Sequence, residues 1–214
     1  MDKRYCIFDM DGTLIDSMVM WKHLGENFLR EHGVAPPADI RAQTASKTLL
    51  QAGELFSQLG VSGSAEEIAN ALKAEIRLQY REKIIAQPGI EDYLSALKAK
   101  GLNLCVATAT DSKLANECLA RLGLLKYFDF LLSCEDIGIT KRSPEIYLLS
   151  SEKFGQQPCD VAVYEDVPYA AKTAKSAGFY VVGYRDVSCE YPENELRELC
   201  DEYITDYSAA AKEF

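Results

Sequence analysis

Residues 15–86 contain no convincing strand, although short β-branched runs lie on both sides of them. Trp21, Leu24 and Phe28 share one helical face, and Ile68, Leu72, Ile76 and Tyr80 recur at steps of four. Pro36-Pro37, Gly60 and Gly63 punctuate the stretch into four helices. About 70 residues of helix exceed the needs of a crossover, since βα connections usually take ~2–6 residues. The pattern predicts an inserted helical bundle at 15–86 and a second domain formed by 1–14 with 87–214.

That second domain reads as α/β. Tyr5–Phe8, Asn103–Ala107, Phe128–Leu132, Val161–Tyr164 and Tyr180–Gly183 are short, nearly continuous apolar runs, as strands buried on both faces require. Between them, Ile90, Tyr93, Leu94 and Leu97 have helical spacing, and so do Leu114, Cys118 and Leu122. Ala170, Ala171, Ala174 and Ala177 form a small-residue face that lets a helix lie close to a sheet. Strands alternating with helices imply right-handed crossovers and a doubly wound, mostly parallel, Rossmann-like sheet.

Composition narrows the function classes. The 214 residues carry a formal charge of −10, which argues against a nucleic-acid surface or an anionic membrane as partner. No apolar stretch approaches the ~18 residues of a membrane span, and the apolar run 5–8 is too short for a secretory signal. Seven cysteines (Cys6, Cys105, Cys118, Cys134, Cys159, Cys189 and Cys200) are dispersed, with no CxxC pair and only His23 and His32 beside them. They read as small core residues in a reducing cytoplasm, not as a zinc site or a disulfide framework.

Ligands of open α/β sheets bind outside the carboxyl ends of the strands. Strand one ends in Asp9-Met10-Asp11-Gly12-Thr13, strand two in Thr108-Ala109, and strand four in Glu165-Asp166; Lys141 lies between strands three and four. Asp9 and Asp11, two positions apart, would share a face of an ideal strand. Carboxylates gathered around one lysine repel one another unless a cation joins them. Mg²⁺ suits oxygen donors and keeps waters that a substrate can displace. A phosphate would complete such a site, held by Lys141 and the Thr108 hydroxyl, with the turn at Gly12 offering N–H groups. One carboxylate can then act as nucleophile and a second as acid and base. A calcium loop is excluded, because an EF-hand needs Gly at position six and Glu at position twelve, where Met20 stands.

FDMDGTLIDS resembles the first motif of the haloacid dehalogenase superfamily. VATAT resembles the second motif, Lys141 with Pro144-Glu145-Ile146-Tyr147 the third, and VYEDVPYAAKTAKSAG the fourth. In its helical insert after the first motif, the chain resembles the β-phosphoglucomutase-like and phosphoglycolate-phosphatase-like members. The resemblance implies a Mg²⁺-dependent enzyme with Asp9 as nucleophile and Asp11 as acid/base. It implies that Thr108, Ala109, Gly12, Thr13 and Lys141 bind the phosphate. Mg²⁺ would be held by Asp9, the backbone carbonyl of Asp11 and Asp166, with Glu165 as a ligand or close behind.

Departures from the motifs bear on activity. Mutase members carry a histidine five residues after the aspartate at Asp16, where this chain has Trp21, and a KGxSR-type signature where it has Ala42-Gln43-Thr44-Ala45-Ser46-Lys47. Water is therefore the expected acceptor, and a phosphatase acting on a small phosphate ester is the expected function. The alternatives are a phosphosugar mutase, a phosphonate-cleaving enzyme using Lys47, and a non-catalytic phosphate-binding module. Trp21 and Lys47 are the insert's candidates for substrate selection, and the insert is expected to close over the site. The third motif reads Lys141-Arg142-Ser143-Pro144 where Lys-Pro-x-Pro is usual. A monomer or weak dimer in the cytoplasm is expected.

Overall fold

The computed structural model describes residues 3–44, 47–188 and 192–213, so Ala45, Ser46 and Cys189 lie outside the described residues. The chain divides into two compact units, 1–17 with 84–214, and Met18–Lys83. The divisions fall three residues inside the expected limits. Ile15 and Ala86 form an antiparallel bridge, and Asp16 N–H donates to Ile85 O at 2.9 Å, which pairs the two segments of the α/β unit on either side of the insert.

In the α/β unit six strands form one parallel sheet: β1 Tyr5–Phe8, β2 Asn103–Thr108, β3 Phe130–Ser133, β4 Val161–Glu165, β5 Tyr180–Tyr184 and β6 Glu202–Ile204. Their order is β3-β2-β1-β4-β5-β6. The order reverses between β1 and β4, whose register pairs Phe8 with Tyr164. Both strands are central, and Cys6, Ile7, Phe8 and 161–165 are buried throughout. A single core cluster joins Ile7, Val161, Val163 and Val181 to Ile146, Tyr147, Ala171 and Ala174 from the flanking helices. The alanines let their helix approach the sheet, as their spacing implied.

The insert comprises α1 Met18–Glu31, α2 Ile40–Thr44, α3 Leu49–Gln58 and α4 Ala65–Leu78, with a π-helical turn at Gln79–Lys83. Capping boxes start α3 (Thr48 with Gln51) and α4 (Ser64 with Glu67), satisfying amides that a helix end leaves unpaired. A side chain at Gly53 would meet Ala65 O at 2.2 Å, so α3 and α4 touch through backbone there. Phe28, Phe56, Ile68 and Leu72 fill this unit's own core.

The remaining helices belong to the α/β unit: α5 Ile90–Ala99, α6 Ser112–Arg121, α7 Cys134–Ile137, α8 Glu145–Phe154, α9 Pro168–Ser176, α10 Glu193–Leu199 and α11 Tyr207–Ala210. Two differences from the sequence reading stand out. β3 begins at Phe130, not Phe128, because a 3₁₀ turn at Leu125–Tyr127 precedes it. β6 is three residues at the sheet edge, too short and too polar to signal itself by pattern.

Cys6, Cys105, Cys118 and Cys134 are buried free thiols, whereas Cys159 is exposed and Cys200 partly so. Burial pushes the Cys6 thiol up to about 12, so it stays protonated and inert. No helix among the described residues is long and apolar enough to cross a membrane.

Candidate active site

β1 and β4 deliver three carboxylates to the point where the sheet order reverses. Asp9 follows β1 directly, and its N–H donates to Tyr164 O at 3.0 Å, carrying the ladder one residue beyond the strand. Glu165 ends β4 and Asp166 follows it. One oxygen from each of the three lies within 4.8 Å of the others, and all three residues are buried. Lys141, from the loop between α7 and α8, donates to Asp9 Oδ1 and, at 2.7 Å, to Glu165 Oε1.

Three buried carboxylates against one ammonium leave the cluster short of positive charge. Burial raises the Asp9 pKa to about 7; the Lys141 charge opposes this, and the charges of Glu165 and Asp11 add to it. Asp166 is pushed well above the ordinary carboxylate range by burial and then by the charges of Asp9 and Glu165. For Lys141, burial acts downward, but the two carboxylates outweigh it and hold the amine protonated. Glu165 Oε2 and Asp166 Oδ2 are buried with no hydrogen-bond partner. Such orphans cost about 1–3 kcal/mol each or more when charged. Hard oxygen donors in excess, close together and unpaired, fit a metal cation.

Asp11 is placed differently from the ideal-strand expectation. β1 ends at Phe8, and the chain turns at Gly12 (φ +86°), so Asp9 and Asp11 do not share a strand face. Asp11 Oδ1 accepts from Ser17 Oγ at 2.7 Å, and Oδ2 accepts from Thr110 Oγ1 at 2.8 Å. Its carboxylate is not one of the three that converge. The turn also uses the Gly12 N–H, which donates to Ile15 O at 2.9 Å, while Gly12 O accepts from Gln87 Nε2 at 3.0 Å. The Gly12 amide expected to face a phosphate is thus already engaged.

The other expected residues fall as follows. Thr108 ends β2, and its Oγ1 accepts from Thr110 N–H at 3.1 Å; Ala109 between them is exposed. Thr13 is fully buried, and its hydroxyl donates to Asp166 Oδ1 at 3.4 Å. Arg142 leans outward, with its guanidinium 5.0 Å from the centre of the Tyr169 ring, and leaves Lys141 buried. In the helical unit, Trp21 is 38% exposed and donates from Nε1 to Tyr80 Oη at 3.0 Å. Lys47 is exposed.

Four participants had no role assigned from sequence. Ser17 and Thr110 hold Asp11, Gln87 holds the turn, and Tyr147 donates to Glu165 Oε1 at 2.6 Å. Thr110 stands two residues beyond Thr108, a spacing that could have drawn notice. Tyr147 lay inside the third motif without a role of its own, and Gln87 gave no signal, because only the fold brings each to its partner.

A parallel α/β sheet thus carries, at its switch point, a lysine and a buried acidic cluster whose oxygens could hold a metal ion. Residues 6–184 match the haloacid dehalogenase-like hydrolases, and the chain belongs to that family. It is 30% identical over 173 residues to the phosphorylated carbohydrates phosphatase of Thermotoga maritima, covering 80% of each chain. It is 27% identical over 190 residues to the fructose-1-phosphate phosphatase YqaB of Escherichia coli, covering 86% of this chain and 99% of that one. The crystal structure of a candidate β-phosphoglucomutase from Thermotoga maritima superimposes with a TM-score of 0.83 at 26% identity, covering 98% of this chain and 99% of that one. The family and these relatives make the chain a phosphoric monoester hydrolase.

Proposed function

We propose that the chain hydrolyses small phosphorylated sugars or similar metabolites, with Mg²⁺ and through an aspartyl-phosphate on Asp9. The observation that carries this reading is the buried Asp9–Glu165–Asp166 cluster, with Lys141 bridging two of its members. The substrate class rests on the relatives that act on phosphorylated carbohydrates and fructose 1-phosphate.

In this reading Asp9, Glu165 and Asp166 hold Mg²⁺, together with the backbone carbonyl of Asp11. The bound ion supplies positive charge that offsets the carboxylates and the charge on the phosphoryl oxygens. Asp9 attacks phosphorus, and the bond to the sugar oxygen breaks as Asp11 gives that oxygen a proton. Asp11, now ionised, takes a proton from water as water attacks the aspartyl-phosphate. Phosphate leaves, Asp9 is regenerated, and Asp11 again carries its proton. Lys141 and the Thr108 hydroxyl bind the oxygens of the transferred group. Ser17 and Thr110 orient Asp11 by donating to its two oxygens.

A second reading, a phosphosugar mutase, is favoured by the likeness to the candidate β-phosphoglucomutase. Against it, Trp21 occupies the position where mutases carry histidine, and its indole N–H is spent on Tyr80.

The test is phosphate release from sugar phosphates, phosphoglycolate, nucleoside monophosphates and β-glucose 1-phosphate, with Mg²⁺ or EDTA, for the wild type and Asp9→Asn. Mg²⁺-dependent release that Asp9→Asn lowers by about 10³-fold or more supports the proposal. Release that survives Asp9→Asn removes Asp9 as nucleophile. Conversion of β-glucose 1-phosphate to glucose 6-phosphate without phosphate release replaces hydrolysis by mutase activity.

A further inference from the structure

We propose that Tyr147 is a positioning residue for Glu165: with Lys141, its phenol fills Oε1 and leaves Oε2 as the oxygen that faces a cation. The assignment rests on the reading that the acidic cluster holds Mg²⁺.

Both donors reach the same oxygen. Tyr147 Oη lies 2.6 Å and Lys141 Nζ 2.7 Å from Glu165 Oε1, while Oε2 has no partner. A lysine alone could not choose between two equivalent oxygens. Its ammonium ends a flexible four-carbon stem and is shared with Asp9 Oδ1, so its hold on Glu165 is divided. The phenol spends its one hydrogen on Glu165 alone. Tyr147 sits on α8, fully buried, with its ring edge-on to Phe179 at 6.1 Å and in one core cluster with Ile146, Val161 and Val163. A donor fixed by core packing therefore sets the torsion of the carboxylate, and the ammonium bridges it to Asp9. This orients a metal-binding carboxylate from behind, by a hydrogen bond on the oxygen the metal does not use.

A buried tyrosine could instead be core filling whose hydroxyl takes the nearest acceptor. Tyr147→Phe separates the two roles, because it keeps the ring and deletes one oxygen. Ser150→Ala is the matched control. It removes another buried hydroxyl from α8, one that donates to Ile146 O at 2.8 Å.

Mg²⁺ binding is measured by calorimetry without substrate, alongside the thermal midpoint in EDTA. The expected result is about a 10-fold rise in the Mg²⁺ dissociation constant for Tyr147→Phe and no change for Ser150→Ala. Excess Mg²⁺ then restores the kcat of Tyr147→Phe. p-Aminophenylalanine at position 147 keeps a donor in place and is expected to bind Mg²⁺ within about twofold of wild type; should Tyr147→Phe not fold, this variant against one carrying p-methylphenylalanine decides the matter. Wild-type affinity in the variants lacking the donor overturns the assignment and leaves the metal reading standing. A wild-type protein that binds no Mg²⁺ overturns both.

Discussion

Without metal, this protein should lose stability as the pH rises from 4 to 8, and Asp9 should account for much of the loss. Its folded pKa is about 7 against an ordinary 3.8, with burial as the largest cause. An acid whose pKa is raised by folding binds more protons folded than unfolded between those two values. Its contribution to stability therefore falls as pH rises through that window, and below about pH 3 both states are protonated and nothing is lost. At about 1.36 kcal/mol per pKa unit the whole effect is about 4 kcal/mol, of which about 3 falls between pH 4.5 and 7.5. Asp166, raised in the same direction, adds to the slope. The assay is urea denaturation in EDTA across this range for wild type and Asp9→Asn. The variant has no proton to lose at that position, so its curve should be flatter by about 3 kcal/mol over those three pH units. Mg²⁺ should flatten the wild-type curve too, because a cation favours the ionised carboxylates and its binding releases protons. Parallel curves for the two proteins in EDTA would refute the reasoning.

Two further changes probe the scaffold around the cluster. Gly89→Ala should destabilise by about 3 kcal/mol or more, because Gly89 has φ +75° and a Cβ there would lie 2.2 Å from Ser208 Oγ and 2.5 Å from Ser208 N. Chemical denaturation measures this, and a loss below 1 kcal/mol would contradict it. Gln87→Leu should cost about 1–3 kcal/mol, since it strips the side-chain donor from Gly12 O and the acceptor from the buried Tyr184 hydroxyl. The thermal midpoint of the variant in EDTA, set against wild type, checks this, and an unchanged midpoint would count against the role given to Gln87.

The sheet was largely legible because parallel strands buried on both faces spell themselves out as apolar runs. Val161–Glu165 and Tyr180–Tyr184 each lie within a residue of the range their sequence suggests. Ile68, Leu72, Ile76 and Tyr80 are all buried, and the step of four continues into the π-helical turn that holds Tyr80. β6 was not legible, because three residues with a glutamate among them offer no period. Within the site, strand ends located Asp9, Thr108, Glu165 and Asp166. Asp11 could not be placed by alternation, because β1 ends at Phe8, before it. The hydroxyl partners of Asp11 and Glu165 were hidden for a different reason. Hydroxyls such as Ser17, Thr110 and Tyr147 occur throughout any chain, and only tertiary contact decides which ones matter.

The distances along the chain have a consequence for how the charges first meet. Asp9 and Lys141 are 132 residues apart, and β1 lacks one of its two neighbours until β4 is made. During synthesis Asp9 emerges long before Glu165 and Asp166, so neither of the cluster's other carboxylates confronts it while the first strand seeks a partner. The repulsive encounter is deferred until β4 docks, and by then Lys141 has already been produced. Closing so long a loop is slow but adds little entropy cost per further residue, since the cost grows only with the logarithm of length. The order of residues along the chain thus delivers Lys141 after Asp9 and before the two carboxylates that crowd it.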